Sequence, residues 1–286
     1  MRTYLDCLPC FLRQALGAAR AATADERIQR RVLDTVAQMM PSFALDITPP
    51  EIAQHVYRCV YEITGNEDPF QQAKRESNLK ALSLYDKSTR LIESADDPLL
   101  AACKLSIAGN SLDLGPYAVT RDIETVIEKA LSSPLGYDGY AAFRSRISDA
   151  TTILYLADNA GEIVFDKLLI EHILVQGDQE ITVAVRETPI INDATLVDAE
   201  MVGLPSLTRV ISNGSGAPAT ILSQCSPEFR SLFGSVDMII AKGQGNYESL
   251  SEQPANIFFL LQAKCPVVAV PLGVNVSDSV LKPPSA

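Results

Sequence analysis

The first half of the chain carries apolar residues at the spacing of amphipathic helices. Between Pro49-Pro50 and Gly65, apolar side chains recur every three or four residues: Ile52, Val56, Val60 and Ile63. This pattern predicts a helix that begins at the prolines and ends at the glycine. Asp68-Pro69 and Asp97-Pro98 predict two further helix starts, the first opening a long polar helix through Ser94. We therefore predict an all-helical N-terminal region over residues 1–148.

After about residue 150 the pattern changes to short, continuous apolar runs that are rich in β-branched residues. The runs are Thr152–Ala157, Ile181–Val185, Leu207–Ile211, Val236–Ala241 and Pro266–Pro271. Such runs are typical of strands covered on both faces. Helix-like segments lie between several of them, such as Glu162–Val175 and Ala219–Leu222. The alternation predicts an α/β region over residues 149–286, with a mainly parallel sheet and helices on both faces.

Composition and charge narrow the class of protein. The 286 residues are 47% hydrophobic and 21% charged, as in ordinary globular proteins, and the length suggests about two domains. A net charge of −11 argues against binding nucleic acid or an anionic membrane surface. No apolar run approaches the roughly 18 residues of a membrane helix, and the N-terminus does not resemble a signal peptide. We expect a cytoplasmic protein with neither a nucleic-acid nor a membrane partner.

Polar residues and glycines follow four of the predicted strands. The segments are Asp158-Asn159-Ala160-Gly161-Glu162, Arg186 through Asn192-Asp193, Asn213-Gly214-Ser215-Gly216, and Lys242-Gly243-Gln244-Gly245-Asn246-Tyr247-Glu248. Ligands of open parallel sheets bind outside the carboxyl ends of the strands. Four such segments at one edge predict a functional site there.

Asp158 and Asn159 offer oxygen ligands to a hard cation such as Mg²⁺ or Mn²⁺. Two side chains are too few, and Asp193, with Asn192 beside it, is the best candidate for a third. Helix capping is the alternative interpretation of each of these residues. Glu162 either complements the helix dipole or accepts a proton or binds a substrate hydroxyl.

Arg186 and Lys242 each end an apolar run and are candidates for binding a phosphate or carboxylate. The alternative is an exposed charge at the rim of the sheet. The glycines after Lys242 predict backbone N–H groups that face an anion, with Asn246 among them. The loop that contains Ser215 is a weaker candidate of the same kind.

Cys7-Leu8-Pro9-Cys10 is a single C-x-x-C motif with three interpretations. It is half of a zinc site completed by His55 and Cys59, a redox pair, or ordinary packing. Asn110, in Ala108-Gly109-Asn110-Ser111-Leu112-Asp113, either caps the preceding helix or contributes to the site.

Together these motifs resemble the metal-dependent damage-control phosphatases, long known as domain of unknown function 89. The segments after the first, second and fourth predicted strands carry the resemblance, with Cys7-x-x-Cys10, Asp68-Pro69-Phe70-x-x-x-Lys74-x-x-Ser77-Asn78 and Ala108-Gly109-Asn110-x-x-Asp113. It covers nearly the whole chain and is strongest to the stand-alone prokaryotic branch with an N-terminal C-x-x-C. Phe70 departs from the tyrosine expected there.

The resemblance implies a helical region packed on a Rossmann-like sheet, and a hydrolase of phosphate monoesters such as sugar phosphates or damaged phosphometabolites. It implies a divalent cation (Mg²⁺, Mn²⁺, Co²⁺ or Ni²⁺) held by Asp158, Asn159 and Asp193, and a phosphate held by Lys242. Glu162, Asn110 and Arg186 would line the substrate pocket.

Several alternatives stay open at this point. An S-adenosylmethionine-dependent methyltransferase, a phosphosugar-binding protein without turnover, and an iron or zinc protein built on Cys7 and Cys10 remain rivals. Direct attack of water on phosphorus is favoured over an aspartyl-phosphate, because Ala160 stands where the Asp-x-Asp pattern has its second aspartate. The sequence specifies neither the substrate, the native metal nor the oligomeric state.

Overall fold

The computed structural model describes residues 1–109 and 123–284 of the chain. The helices within these ranges are α1 (Cys7–Ala22), α2 (Glu26–Met39), α3 (Pro49–Thr64), α4 (Gln71–Leu82), α5 (Tyr85–Glu93), α6 (Pro98–Gly109), α7 (Ile123–Ser132), α8 (Tyr140–Asp149), α9 (Glu162–Gln176), α10 (Leu196–Met201), α11 (Pro227–Ser235), α12 (Gly243–Leu250) and α13 (Pro266–Leu272). The predicted helical front region is confirmed for the described residues, except that Tyr137–Asp138, inside its predicted bounds, form a short strand.

A seven-stranded sheet forms the centre of the described residues. Its strands are β1 (Tyr137–Asp138), β2 (Thr152–Leu156), β3 (Glu180–Val185), β4 (Arg209–Ser212), β5 (Met238–Lys242), β6 (Ile257–Gln262) and β7 (Ser279–Lys282). The spatial order is β1-β7-β6-β5-β2-β3-β4, and every neighbouring pair is parallel except β6 and β7. The mainly parallel α/β fold is as predicted.

The helix predicted over residues 49–65 illustrates how local sequence sets an element. Thr48 and Glu51 form a capping box, in which the Glu51 carboxylate accepts from the Thr48 backbone N–H at 2.7 Å. Proline occupies the first turn, where its missing N–H costs nothing. Gly65 ends the helix in the left-handed conformation, with φ of 70°.

Three element predictions are wrong. The long polar helix is two helices, α4 and α5, because the chain turns at Ser83, whose hydroxyl bonds the Lys80 carbonyl. The run Pro266–Pro271 is helix α13 rather than a strand, since proline at its start suits a first helical turn and would remove a ladder hydrogen bond from a central strand. Ala219 lies in a loop with φ of 61°, which excludes the helix predicted there.

Side chains of the sheet pack into separate clusters on its two faces. Ile153 and Tyr155 of β2 join the cluster with α6 and α9, whereas Leu154 and Leu156 join the cluster with α11, α12 and α13. A third cluster lies among α1, α2 and α3. Because α6 of the front region packs in the same cluster as α9, helices from residues 1–148 help to cover one face of the sheet. The division of the chain at residue 148 into two domains stays a prediction.

The strand order places a switch point beside β2. From β2 the chain moves outward through β3 and β4, and then returns to β5 on the other side of β2. The loops after β2 and β5 therefore diverge, and a crevice at the carboxyl ends of these strands is the expected ligand site.

Candidate functional site

The loops after β2, β3 and β5 meet at this edge of the sheet. Asn159 and Asp193 form an isolated antiparallel bridge. The Ala160 N–H donates to the Asn192 carbonyl at 2.9 Å, and the Ala194 N–H donates to the Asp158 carbonyl at 2.8 Å. These backbone bonds join the two loops that carry the predicted cation ligands.

The Asp158 carboxylate lies against Gly243, the first residue of α12. A Cβ added to Gly243 would come within 1.9 Å of Asp158 Oδ2, and Gly243 has φ of 78°. Asn159 Nδ2 donates to Asp158 Oδ2 at 2.7 Å and to Glu162 Oε2 at 3.1 Å. The amide thus joins two of the predicted acidic residues, and its oxygen is the atom that can coordinate a cation.

Asp193 is buried and paired with Arg186. Arg186 Nε donates to Asp193 Oδ2 at 2.8 Å, and the Ala219 N–H approaches the same oxygen at 3.3 Å. Arg186 is 1% exposed and also donates to Thr220 Oγ1 at 3.2 Å. Arg186 therefore orients Asp193 in this structure and is not an exposed rim charge.

Lys242 is fully buried in an acidic pocket. Its ammonium donates to Glu162 Oε1 at 2.6 Å, to Asp166 Oδ1 at 2.6 Å and to the Ser106 carbonyl at 2.9 Å. Three acceptors match the three N–H groups of a lysine. Lys242 can therefore contact a phosphate only by exchanging one of these bonds.

Asp166 belongs to the site and was not predicted from the sequence. Its Oδ1 also accepts from Ser106 Oγ at 2.7 Å and from the Tyr155 hydroxyl at 2.8 Å, while Oδ2 has no partner among the described residues. The spacing from Glu162 was the available signal, because residues four apart on a helix share a face.

Burial raises the pKa values of Asp158 and Asp193. Burial, followed by the neighbouring Glu162 and Asp193, raises the pKa of Asp158 to about 8. Burial also raises the pKa of Asp193, against the opposing effect of Arg186. Burial alone would lower the pKa of Lys242, but Asp166 and Glu162 outweigh it and raise that pKa above its ordinary value.

Two further residues lie near the site that the sequence did not assign to it, although Asn78 belongs to a motif of the family resemblance. The exposed Lys264, after β6, lies close enough to Asp158 to lower its pKa. Asn78 of α4 accepts from the Gly161 N–H at 2.6 Å. Strand β6 was not among the predicted strands, and an apolar run with two phenylalanines was the signal for it and for the lysine that follows.

The remaining predicted site residues make structural contacts. Asn246 donates to the Lys242 and Ala157 carbonyls, and the Ser215 hydroxyl accepts from the Ala217 N–H within its own loop. Asn192 contributes its backbone carbonyl, as described above. Asn110 lies outside the described residues. Substrate binding by these four residues stays a prediction.

Cys7 and Cys10 lie in the first turns of α1. All six cysteines are free. Burial is the largest cause of the raised pKa values of the Cys7 and Cys10 thiols. Glu248 and Cys265 add to both, while Arg13 lowers the pKa of Cys10. Within residues 1–109 and 123–284, Cys7, Cys10, His55 and Cys59 are not grouped as a metal site, whereas Glu248 of α12 and Cys265 before α13 lie near enough to act on the two thiols.

The described ranges hold neither a cluster of acidic, histidine and cysteine metal ligands nor a membrane-spanning helix. Within residues 1–109 and 123–284, no three His, Cys, Asp or Glu side chains are grouped as a metal site. The predicted cation ligands are two carboxylates and the amide of Asn159, and an amide is not one of the side chains counted in such a group. In the same ranges no helix has the length and apolar character needed to cross a bilayer.

Cavities lie at both ends of the sheet. One of about 620 Å³ is lined by residues of α3 and of the loops after β3 and β4, among them Tyr61, Thr188 and Gly216. A larger one of about 960 Å³ lies at the amino ends of β5 and β6, remote from the acidic residues. Because the Ile191 N–H donates to the Tyr61 hydroxyl at 3.3 Å, the smaller cavity adjoins the Asp193 loop.

Fold and site together define an α/β protein with buried carboxylates and a buried lysine at the switch point of its sheet. The family model "damage-control phosphatase ARMT1-like domain" matches residues 3–280, and the chain belongs to this family. The sequence resemblance is thereby confirmed.

Similar proteins span nearly the whole chain. A damage-control phosphatase of Pyrococcus horikoshii is 38% identical over 96% of this chain and 95% of its own, and one of Archaeoglobus fulgidus is 33% identical over 96% and 97%. The crystal structure of a DUF89 family protein from Pyrococcus horikoshii matches with a TM-score of 0.92 and 36% identity, over 100% of both chains.

Proposed function

We propose that this chain is a metal-dependent phosphatase that hydrolyses phosphate monoesters of small metabolites, such as sugar phosphates. The observation that carries the proposal is the group of four buried carboxylates at the switch point, set against two buried cations. The family supports the hydrolase, and the charges described below support the cation and the phosphate.

The donor set fits a hard divalent cation. Asp158, Glu162, Asp166 and Asp193 exceed Lys242 and Arg186 by two negative charges when all are ionised, and buried unbalanced charge is costly. Carboxylate and amide oxygens are the ligands that Mg²⁺ and Mn²⁺ prefer, with Co²⁺ and Ni²⁺ also accepting them. Asp158, Asn159 and Asp193 would hold the ion, which would polarise the phosphoryl group and lower the pKa of a bound water.

The chain's own residues supply charge and orientation. Lys242, held by Glu162 and Asp166, offsets negative charge on the phosphoryl oxygens, and the exposed Lys264 draws the anionic substrate to the edge of the sheet. Arg186 keeps the Asp193 carboxylate in place. These roles match phosphoryl transfer, in which positioning and charge neutralisation provide most of the catalysis.

Glu162 is the proposed proton acceptor for the attacking water. Its Oε1 is bound by Lys242 and its Oε2 by Asn159, so the carboxylate is fixed between a cation and a predicted metal ligand. A fixed carboxylate in hydrogen-bond reach of water is the geometry that general base catalysis requires. The organic part of the substrate would occupy the cavity beside Tyr61 and Thr188.

Phosphate release from a panel of sugar phosphates and related monoesters tests the proposal. The chelator-treated protein should be inactive and should regain activity with Mg²⁺, Mn²⁺, Co²⁺ or Ni²⁺. Asp193→Asn should lower kcat/KM at least about a hundredfold, whereas Asp149→Asn, an exposed carboxylate on α8, should not change it. Full turnover by Asp193→Asn at low metal would show that the ligand assignment is wrong.

The same protein, assayed with other substrates, distinguishes the alternative functions. Binding of a sugar phosphate without turnover on any ester would favour a phosphosugar-binding protein. Methyl transfer from S-adenosylmethionine would favour the methyltransferase. With a phosphate ester chiral at phosphorus, inversion supports direct attack of water, and retention supports an aspartyl-phosphate.

A further inference from the structure

Asn78 connects the helical front region to both loops that carry the predicted cation ligands. It lies in α4 and is completely buried. Its Oδ1 accepts from the Gly161 N–H at 2.6 Å, and its Nδ2 donates to Asp198 Oδ1 at 2.9 Å. Gly161 follows Asp158 and Asn159 after β2, and Asp198 follows Asp193 after β3.

Each partner of Asn78 is itself fixed within its loop. Gly161 is the N-cap of α9, with φ of 80°, a conformation that favours glycine. Asp198 caps α10, because its Oδ2 accepts from the backbone N–H of Thr195 at 2.9 Å and from the Thr195 hydroxyl at 2.8 Å. A shift of Asn78 would therefore be transmitted to the start of both helices.

The hydrogen bonds of Asn78 require a side chain with one acceptor and one donor. The Asn78 amide offers an acceptor to a backbone donor and a donor to a carboxylate, which neither aspartate nor leucine can do. Lys74, one turn earlier on α4, places its Nζ 3.4 Å from Asp198 Oδ2 and so balances the charge of Asp198. Lys74 Nζ also lies 3.7 Å from Asp68 Oδ2, so the buried polar network of Asn78, Asp198 and Lys74 continues to Asp68.

We propose that Asn78 is a positioning residue that holds the two ligand loops in register for cation binding. This inference rests on the proposed function. Replacing a residue that hydrogen-bonds to metal ligands and orients them commonly changes metal affinity or activity by about 10- to 100-fold. The front helical region would then contribute to the site as well as covering the sheet.

A swap of the two side chains tests the inference. Asn78→Asp sets two buried carboxylates against each other, and Asp198→Asn sets two amide nitrogens against each other. In the double variant Asn78→Asp/Asp198→Asn, the new aspartate still accepts from the Gly161 N–H, and the new asparagine accepts from Thr195 and donates to the new aspartate. The hydrogen bond between residues 78 and 198 is thus restored with reversed polarity, and the bonds from Gly161 and Thr195 keep their direction. Asn256→Asp, an exposed asparagine at the start of β6, is the matched control.

The readout is Mn²⁺ binding to the metal-free protein by calorimetry, with folding checked by circular dichroism. Each single variant should bind Mn²⁺ about 10- to 100-fold more weakly, and the double variant should recover to within about threefold of the native protein. A purely structural role would lower thermal stability in the single variants without changing the Mn²⁺ affinity of the folded protein. Unchanged affinity in both single variants, or a double variant no better than the weaker single one, would overturn the inference.

A second readout is independent of the metal. Hydrogen exchange at the Gly161 amide should be slow in the native protein and the double variant, and faster in Asn78→Ala. If the native protein takes up none of Mn²⁺, Mg²⁺, Co²⁺ and Ni²⁺, the proposed function fails, and the Gly161 exchange rate still decides whether Asn78 positions this loop. Equal exchange in Asn78→Ala and the native protein would reject that role.

Discussion

At the scale of single residues, Gly243 has no side chain, and this leaves the space that the Asp158 carboxylate occupies. Its positive φ and the 1.9 Å approach of an added Cβ to Asp158 Oδ2 both exclude a side chain. Gly243→Ala should therefore displace Asp158 and lower kcat/KM by at least about tenfold, as a displacement of about 1 Å can cost 100-fold. Steady-state kinetics with saturating metal would measure the loss.

Gly17 is the matched control for this substitution. It lies within α1, and a Cβ there would meet nothing within 4 Å. Gly17→Ala should leave activity unchanged and stabilise the fold by about 0.5–1 kcal/mol, since alanine favours a helix interior. Native activity in Gly243→Ala would mean that the carboxylate of Asp158 need not stay where it lies.

The raised pKa of Asp166 predicts how the stability of the fold depends on pH. Burial raises its pKa to about 6, from 3.8, against the opposing effect of Lys242, with Glu162 adding to the rise. The folded chain therefore holds this proton more tightly than the unfolded chain. The resulting stabilisation is complete below pH 3.8 and is lost as the pH rises through about 6.

Comparison with Asp166→Asn isolates this effect, because the variant keeps the shape of the side chain and has no titrating group. Relative to the variant, the native chain should lose roughly 2.4 kcal/mol of unfolding free energy as the pH rises from 4 to 7. Denaturant unfolding in the presence of a chelator gives both values at each pH. A difference that does not vary with pH would contradict the raised pKa.

At the scale of elements, the predictions succeed where local signals and tertiary packing agree. The capping box and Gly65 define α3, and β2 is an uninterrupted apolar run between its neighbours. In Pro266–Leu272 the two signals conflict, because β-branched residues favour a strand while proline at the first position favours a helix start. The helix forms there, with Cys265 as its N-cap.

The candidate site was predictable to the extent that it follows strand ends. Asp158 and Asp193 follow β2 and β3, and Lys242 is the last residue of β5; parallel pairing brings these strand ends to one edge. Asn78 and Asp166 were not predictable in this way, since the packing of α4 and α9 on the sheet sets their contacts. A sequence pattern predicts which face of a helix is buried. The register of one helix against another depends on side-chain packing, which the pattern does not specify.

At the scale of the whole molecule, cation binding and folding are coupled. An ion that binds the folded chain alone should stabilise it by about 2.7 kcal/mol at a hundredfold excess over Kd, which raises the unfolding midpoint by several degrees. Chelator-treated protein should show this shift with Mn²⁺, and Asp193→Asn should lose it. Thermal unfolding followed by circular dichroism measures both.

The net charge of −11 makes a control for diffuse binding necessary. Divalent ions collect around any strongly acidic surface, but near 1 M salt the screening length falls to about 3 Å and this attraction largely disappears. A shift that persists at high salt in the native chain and in Asp149→Asn, and is absent from Asp193→Asn, therefore comes from the buried site. Equal shifts in all three proteins, or a shift that vanishes with salt, would place the ions on the surface and leave the four buried carboxylates without the cation proposed to balance them.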